Sequence, residues 1–243
     1  MKILLDTHTH TLASGHAYST LEENVKHAAH IGLEAIAVTD HAPMMAHTTC
    51  HAYFANLHVI PRILHNVRIL RGIELNIMDF DGTVDMDDKI LSRLDLAIAS
   101  LHVPCIKPGT KEENTNACLK AMEHPWIDIL GHPGDPRYPL DYDALVQKAK
   151  ETHTLLEVNN TSLIPGGFRD GSAENIEYML RLCKKAQVGI VVGSDAHFYT
   201  SIGDFTLAKA LLKKVDFPKH LICNRNTKCL LAARKRSRLM RQE

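Results

Sequence analysis

The sequence has no excess of charge of either sign. Its 243 residues hold 28 Lys and Arg against 28 Asp and Glu, so no overall field attracts nucleic acid or a membrane surface. No apolar run reaches the roughly 18 residues that a membrane span needs. The first residues, Met1 to Asp6, become polar too soon for a signal peptide. These absences predict a soluble cytoplasmic protein that binds neither nucleic acid nor membranes.

Paired cysteines are also absent. None of the six cysteines forms a C-x-x-C pair, and their spacing is irregular. Together with the missing leader, this predicts reduced thiols rather than a disulfide framework. A basic run at residues 234–238 has no aromatic platform beside it, so we interpret it as a solvated helix end and not as a nucleic-acid site.

Seven short apolar runs, rich in β-branched residues, recur along the chain. They cover residues 3–5, 35–38, 67–73, 94–99, 127–130, 155–158 and 188–192. Such nearly uniform runs are typical of strands buried on both faces of a parallel sheet. Helical patterns alternate with them, and this alternation predicts an α/β fold.

Capping residues mark the helices between these strands. Thr20 and Thr110 each begin a capping box, and Asp141 and Ser172 can each cap a further helix. A last helix is predicted over residues 230–240. Two segments interrupt the alternation: residues 42–58 are predicted to form a loop over the site, and residues 79–88 a turn-rich excursion.

Side chains of the metal-binding types follow six of the seven runs. They are His8, His10, His16, His41, Glu74, His102, His132, Asp195 and His197. In a doubly wound sheet only the strands at the switch point would contribute, whereas in a barrel every strand end faces one mouth. The pattern therefore favours a seven-stranded barrel.

The spacing of these residues suits a cluster of metal ions. Residues two apart on a strand point the same way, so His8 and His10 can reach one ion, and Asp195 and His197 repeat the arrangement. Glu74 would be a costly buried carboxylate unless cations compensate it, and bridging two ions would do so. His16 and His41 are the weakest candidates on spacing alone.

Mixed imidazole and carboxylate ligands suit zinc, with manganese or iron as alternatives. Nine ligands, one of them bridging, could hold three divalent ions and leave open positions. Such ions generate hydroxide from water near neutral pH and clamp phosphoryl oxygens. The residues alone therefore predict a metal-dependent hydrolase.

In this order along the chain, the motifs resemble the PHP (polymerase and histidinol phosphatase) superfamily, most closely the YcdX-type phosphatases. The similar segments are 6–10, 38–41, 70–74, 131–136, 157–160 and 193–197. The resemblance covers essentially the whole chain. It implies a distorted, TIM-barrel-like (β/α)7 barrel, a single domain over residues 1–243, and a trinuclear centre that usually holds zinc.

The resemblance also implies three sets of ligands. The first ion would be held by His8, His10, Glu74 and Asp195. The second would be held by Glu74, His102 and His132. The third would be held by His16, His41 and His197.

Three further residues are candidates for substrate contact. Arg137 and Arg169 lie in predicted turns near the mouth, where either can bind a second phosphate through a bidentate contact. The alternative, an exposed loop arginine, is at least as simple. Asn159 ends the sixth predicted strand, which carries no metal-ligand candidate.

The predicted function is hydrolysis of a small-molecule phosphomonoester by a metal-activated hydroxide, without a side-chain nucleophile. A phosphodiesterase, an amidohydrolase-like enzyme and a non-catalytic metal-binding protein are the alternatives. Amidohydrolases typically have eight strands and a bridging lysine, where this chain has seven strands and Glu74. The resemblance further implies a homo-oligomer, with a trimer as the form to test.

Overall fold

Parallel strands and helices alternate along the chain in the computed structural model, which describes residues 2–234. The strands are β1 (Leu5–Thr9), β2 (Ala35–Val38), β3 (Ile63–Leu64), β4 (Val67–Asn76), β5 (Leu96–Ser100), β6 (Ile129–Leu130), β7 (Leu155–Asn159) and β8 (Ile190–Gly193). The helices are α1 (Leu21–His30), α2 (His51–Asn56), α3 (Asp88–Leu91), α4 (Lys111–Glu123), α5 (Tyr142–Thr152), α6 (Ser172–Ala186), α7 (Thr206–Lys214) and α8 (Thr227–Ala233).

Seven of the strands form a nearly closed parallel barrel in the order β1-β2-β4-β5-β6-β7-β8. At the carboxyl ends of β1 and β8, the Asp195 amide donates to the His8 carbonyl and the His10 amide to the Ala196 carbonyl, both at 2.9 Å. The predicted seven-stranded α/β barrel is therefore confirmed. The two-residue β3, antiparallel to β4, is an addition that the sequence did not predict.

Side chains complete the seam between β1 and β8. The buried Asn224 donates to the carbonyls of Leu5 at 2.9 Å and Val192 at 2.7 Å, and it accepts from the Val192 amide at 3.0 Å. The buried Asp6 carboxylate accepts from the Ser194 amide at 3.0 Å. The seam thus combines backbone hydrogen bonds at its carboxyl end with contacts from the side chains of Asn224 and Asp6.

Two hydrophobic clusters lie on the two faces of the sheet. The larger one packs the helices against the strands. The smaller one fills the amino-terminal part of the barrel interior, and Leu230 of α8 belongs to it. Its buried members are Leu5, Ala35, Ala37, Leu70, Leu96, Ile98, Ile129, Leu155, Val191 and Leu230. We call this cluster the floor of the barrel.

The helix predictions are largely confirmed. The capping boxes at Thr20 and Thr110 are present, and Asp141 caps α5. The prediction that Ser172 caps a helix is wrong: Gly171 is the N-cap of α6, and the Ser172 hydroxyl donates to the Arg169 carbonyl at 2.7 Å.

Segment 42–58 is more ordered than predicted, because it contains α2. Segment 79–88 forms turns up to the start of α3, as predicted. The predicted helix over 230–240 corresponds to α8 in its first part. Its remainder, like the basic run after Arg234, lies outside the described residues. None of the helices within residues 2–234 has the length and apolar character needed to cross a bilayer.

Candidate metal centre

The interior of the barrel changes from apolar to polar along each strand. Because residues two apart share a face of a strand, Leu70, Gly72 and Glu74 of β4 lie one above another in the interior. On β7 the same rule aligns Leu155 with Glu157. The apolar residues belong to the floor, and the acidic residues lie toward the carboxyl ends, fully buried. The strands therefore deliver buried polar side chains to one mouth.

Glu74 is surrounded by imidazoles. Its Oε2 lies 3.2 Å from His8 Nε2 and 2.8 Å from His41 Nδ1. Its Oε1 lies 3.2 Å from His102 Nε2 and 3.1 Å from His132 Nε2. Four strands thus bring their imidazoles to one carboxylate.

Asp195 is the second carboxylate of the cluster. Its Oδ1 lies 3.2 Å from His10 Nε2 and 3.5 Å from His8 Nε2. Asp195 has a φ of 57° and His132 a φ of 28°, values that non-glycine residues rarely adopt. Such backbone conformations persist where the surrounding structure enforces them, and they are frequent at functional sites.

His16 is the outermost of the nine residues and is exposed. Its ring centroid lies 4.9 Å from that of His41 and 4.8 Å from that of His197. The ring centroids of His10 and His197 are 4.3 Å apart. All nine predicted residues are therefore in one continuous cluster, which extends from the buried Glu74 to the open mouth.

Several buried atoms at the centre of this cluster have no hydrogen-bond partner within residues 2–234. They are His8 Nε2, His10 Nε2, His41 Nδ1, His102 Nε2 and Glu74 Oε2. Leaving such atoms unpaired costs free energy, and divalent cations bound among them would satisfy them. The donor set therefore fits metal ions.

Three overlapping groups of side chains could each hold one ion. They are His8 with His10 and Glu74, His41 with Glu74 and His102, and His10 with His41 and His197. The first group lies within the first predicted ligand set. The other two groups combine residues from different predicted sets. One places His41 with Glu74, and the other places His10 with His197.

The charges of the cluster support one another. Burial alone would raise the pKa of Glu74, but the surrounding imidazoles, led by that of His8, hold this pKa well below its usual value. Burial also raises the pKa of Asp195, but the neighbouring His8 and His10 outweigh this effect and hold that pKa well below its usual value. Burial lowers the pKa of His102 to about 4. Ionised carboxylates and a neutral imidazole are the forms that bind metals.

Comparison with known families identifies the fold. The PHP domain family matches residues 6–235 of the chain. The chain belongs to the PHP domain family. This PHP domain is 47% identical over 231 residues to a probable phosphatase of Clostridium novyi, covering 95% of this chain and 94% of that protein. It is 46% identical over 224 residues to a probable phosphatase of Acetivibrio thermocellus, with 92% of each chain covered. These matches confirm the predicted family and the predicted class of enzyme, a hydrolase of phosphoester bonds.

Solved structures share the fold at much lower identity. A histidinol phosphate phosphatase from Lactococcus lactis, crystallised with zinc, L-histidinol and phosphate, aligns with a TM-score of 0.59 at 18% identity, covering 88% of this chain and 94% of that one. A chain of archaeal ribonuclease P, solved with mature tRNA, also gives 0.59 at 14% identity, covering 98% and 93%. At these identities the likeness establishes the fold of the PHP domain alone.

Several residues that hold the candidate ligands were missed in the sequence. Glu157 Oε1 lies 2.8 Å from His8 Nδ1, and its Oε2 accepts from the His132 amide at 2.7 Å. Ser14 Oγ lies 3.0 Å from His10 Nδ1. Partners of this kind fix the orientation of ligating imidazoles. A lone glutamate inside the apolar run 155–158 was the available signal for Glu157; no local signal marks Ser14.

Asp40 and Asp6 support the site through hydroxyl groups and backbone amides. Asp40 accepts from Ser14 Oγ at 2.7 Å and from the Tyr53 hydroxyl at 2.5 Å, so it reaches His10 only through Ser14. Asp6 accepts backbone amides at the seam, and burial raises its pKa to about 6. Both carboxylates therefore fix the backbone and the loops of the PHP domain.

The three candidates for substrate contact are placed differently. Arg169 is largely buried and donates from Nη1 to Asp195 Oδ2 at 2.9 Å, while its Nε has no hydrogen-bond partner within the described chain. Arg137 contacts Asp135 through two nitrogens and stacks 4.0 Å above the exposed ring of Phe168. Asn159 donates to Asp195 Oδ2 at 3.2 Å, so it faces the cluster.

Proposed function

We propose that this PHP domain is a metal-dependent phosphatase that hydrolyses small-molecule phosphomonoesters. The observation that carries the proposal is the convergence of buried, unpartnered imidazole and carboxylate atoms on Glu74 at the mouth of the barrel. The relatives named as probable phosphatases support the choice of phosphoesters over other substrates.

The nine residues would hold three divalent ions, with zinc as the first choice and manganese or iron as alternatives. Bound ions of this kind lower the pKa of water and stabilise charge on phosphoryl oxygens. Glu74 would contact two of them, since its two oxygens face different imidazoles. His16 and His197 lie at the open end of the cluster and leave it accessible to substrate.

The chain's own residues would orient the substrate phosphate. Arg169 has N–H groups beyond the one that it donates to Asp195, and its guanidinium lies beside the cluster. It is therefore the first candidate for contact with a phosphate oxygen. Arg137, held by Asp135 and Phe168, borders the same mouth and is the second candidate. Asn159 would act by holding Asp195 in place.

The test is the hydrolysis of p-nitrophenyl phosphate by metal-loaded and by chelator-treated protein. We expect turnover that the chelator abolishes and that added zinc or manganese restores. The diester bis(p-nitrophenyl) phosphate, assayed in parallel, distinguishes a phosphatase from a phosphodiesterase. Absence of monoester turnover in protein with verified metal content would overturn the proposal.

A further inference from the structure

A carboxylate from the turn-rich segment 79–88 lies behind one of the candidate ligands. Asp85 Oδ1 accepts from the Asn76 amide at 2.8 Å, and its Oδ2 accepts from Asn76 Nδ2 at 2.6 Å. On its other side, Asn76 Oδ1 lies 2.7 Å from His102 Nδ1. Hydrogen bonds through these three side chains therefore connect segment 79–88 to the candidate metal ligands.

The chemistry of these groups allows only one orientation of the amide. An ionised carboxylate accepts hydrogen bonds but cannot donate them, so Asn76 must turn its NH2 group toward Asp85. The same NH2 group also donates to the Ala42 carbonyl at 3.3 Å. The amide oxygen of Asn76 then faces His102 Nδ1, which must carry the ring proton. His102 Nε2 is left with its lone pair directed toward Glu74.

We infer that Asp85 is a positioning residue for the metal centre: it fixes the amide of Asn76, which holds His102 in the tautomer that offers Nε2 as a ligand. The inference rests on the proposed function, because it assigns a role toward the ions proposed there. It also gives segment 79–88 a purpose that the fold alone does not require.

The position of Asp85 supports this role. Its Oδ2 also accepts from the Met44 amide at 3.0 Å, in the loop that follows His41. The carboxylate is therefore held by three N–H groups from two parts of the chain. Asn76 is fully buried, so water does not replace its contact with His102.

Replacement of Asp85 by asparagine tests the inference with little change of volume. The new NH2 group must face either the Asn76 amide or the Asn76 side chain, and both are donors. We expect Asp85→Asn to weaken zinc binding by about 10-fold or more, the usual effect of removing an outer partner of a ligand. Zinc affinity is measured by competition with a chromophoric chelator. Asp81→Asn removes the same charge from an exposed position in the same segment and should bind zinc as the unaltered protein does.

An exchange of the two residues separates this role from a general loss of structure. In the double variant Asn76→Asp, Asp85→Asn, the new aspartate can accept from both His102 Nδ1 and the new amide. We expect partial recovery of zinc affinity relative to Asp85→Asn, because the contact with the Ala42 carbonyl is still lost. Circular dichroism checks that each variant is folded.

A measurement on the unaltered protein does not depend on how the variants fold. In the metal-free protein, the ring nitrogen resonances of His102, identified by their absence in His102→Gln, should report a proton on Nδ1. A proton on Nε2, or equal zinc affinity of Asp85→Asn and the unaltered protein, would overturn the inference. Failure of the unaltered protein to bind zinc would instead overturn the proposed function.

Discussion

The two ends of the barrel interior differ in what stabilises them. The floor is a layer of aliphatic side chains from the seven barrel strands and α8, and it needs no ligand. The mouth, two to four residues further along the same strands, buries Glu74, Glu157 and Asp195 among imidazoles. Burying charged groups costs free energy unless they are paired. The floor therefore increases the free energy of unfolding, whereas the buried charged groups of the mouth reduce it.

The largest expected effect is at the mouth. We predict that His10→Ala or Asp195→Ala reduces turnover of p-nitrophenyl phosphate to background, because each removes a central atom of the cluster, while the barrel remains folded. His30→Ala, an exposed histidine of α1, is the matched control and should retain full turnover. Unchanged turnover in either site variant would contradict the assignment of the cluster.

The second largest effect is at the floor. Leu230→Ala should lower the free energy of unfolding by about 2–5 kcal/mol, because it leaves a cavity beneath the buried ends of the strands. Zinc affinity should be unchanged. Urea unfolding measures the loss, and Lys228→Ala, an exposed position in α8, is the control. A large change in zinc affinity would mean that floor and mouth are not independent.

Metal loading should stabilise the protein through the mouth alone. At a free zinc concentration of about 100 times Kd, one bound ion adds about 2.7 kcal/mol to the free energy of unfolding. Thermal melting with and without a chelator measures this gain. We expect the full gain in Leu230→Ala and a reduced gain in His10→Ala. Equal gains in both variants would show that zinc acts elsewhere.

The smallest effect is expected at Thr7, between the floor and the mouth. Thr7 Oγ1 donates to the Val192 carbonyl at 3.4 Å, but this carbonyl also accepts from Asn224. Thr7→Val should therefore cost about 1 kcal/mol or less and should leave both zinc affinity and turnover unchanged. Urea unfolding and the chelator assay test the two statements. If Thr7→Val lowered the free energy of unfolding as much as Leu230→Ala does, Thr7 would have to be counted as part of the floor.

The strands and the candidate ligands could be predicted because their signals are local. An apolar run that ends in a histidine or an acid is visible in a few residues, and the parallel barrel brings such ends together. The supporting residues are not visible in this way. Asp85 reaches His102 only through Asn76, and Asp40 reaches His10 only through Ser14, so their pairing depends on tertiary contacts.

Two smaller errors have the same origin. The serine at the start of α6 looked like a cap, but its hydroxyl donates to the Arg169 carbonyl instead, and Gly171 begins the helix with a φ of 92°. The two residues of β3 are too few for a periodic pattern, and they pair only because β4 lies beside them. The structure of a short segment depends more on its tertiary contacts than on its own sequence.

The seam between β1 and β8 has a consequence for the order of events during synthesis. The ribosome makes β1 before β8, its partner at the seam, and the bridging Asn224 follows more than two hundred residues after β1. Until β8 and the residues after it have been made, β1 has an open edge, and His8 lacks the backbone partner that Asp195 provides. A nascent chain that stops short of β8 would expose an unpaired strand edge, the kind of surface that chaperones protect. The complete cluster can therefore form only after the chain has been made as far as His197.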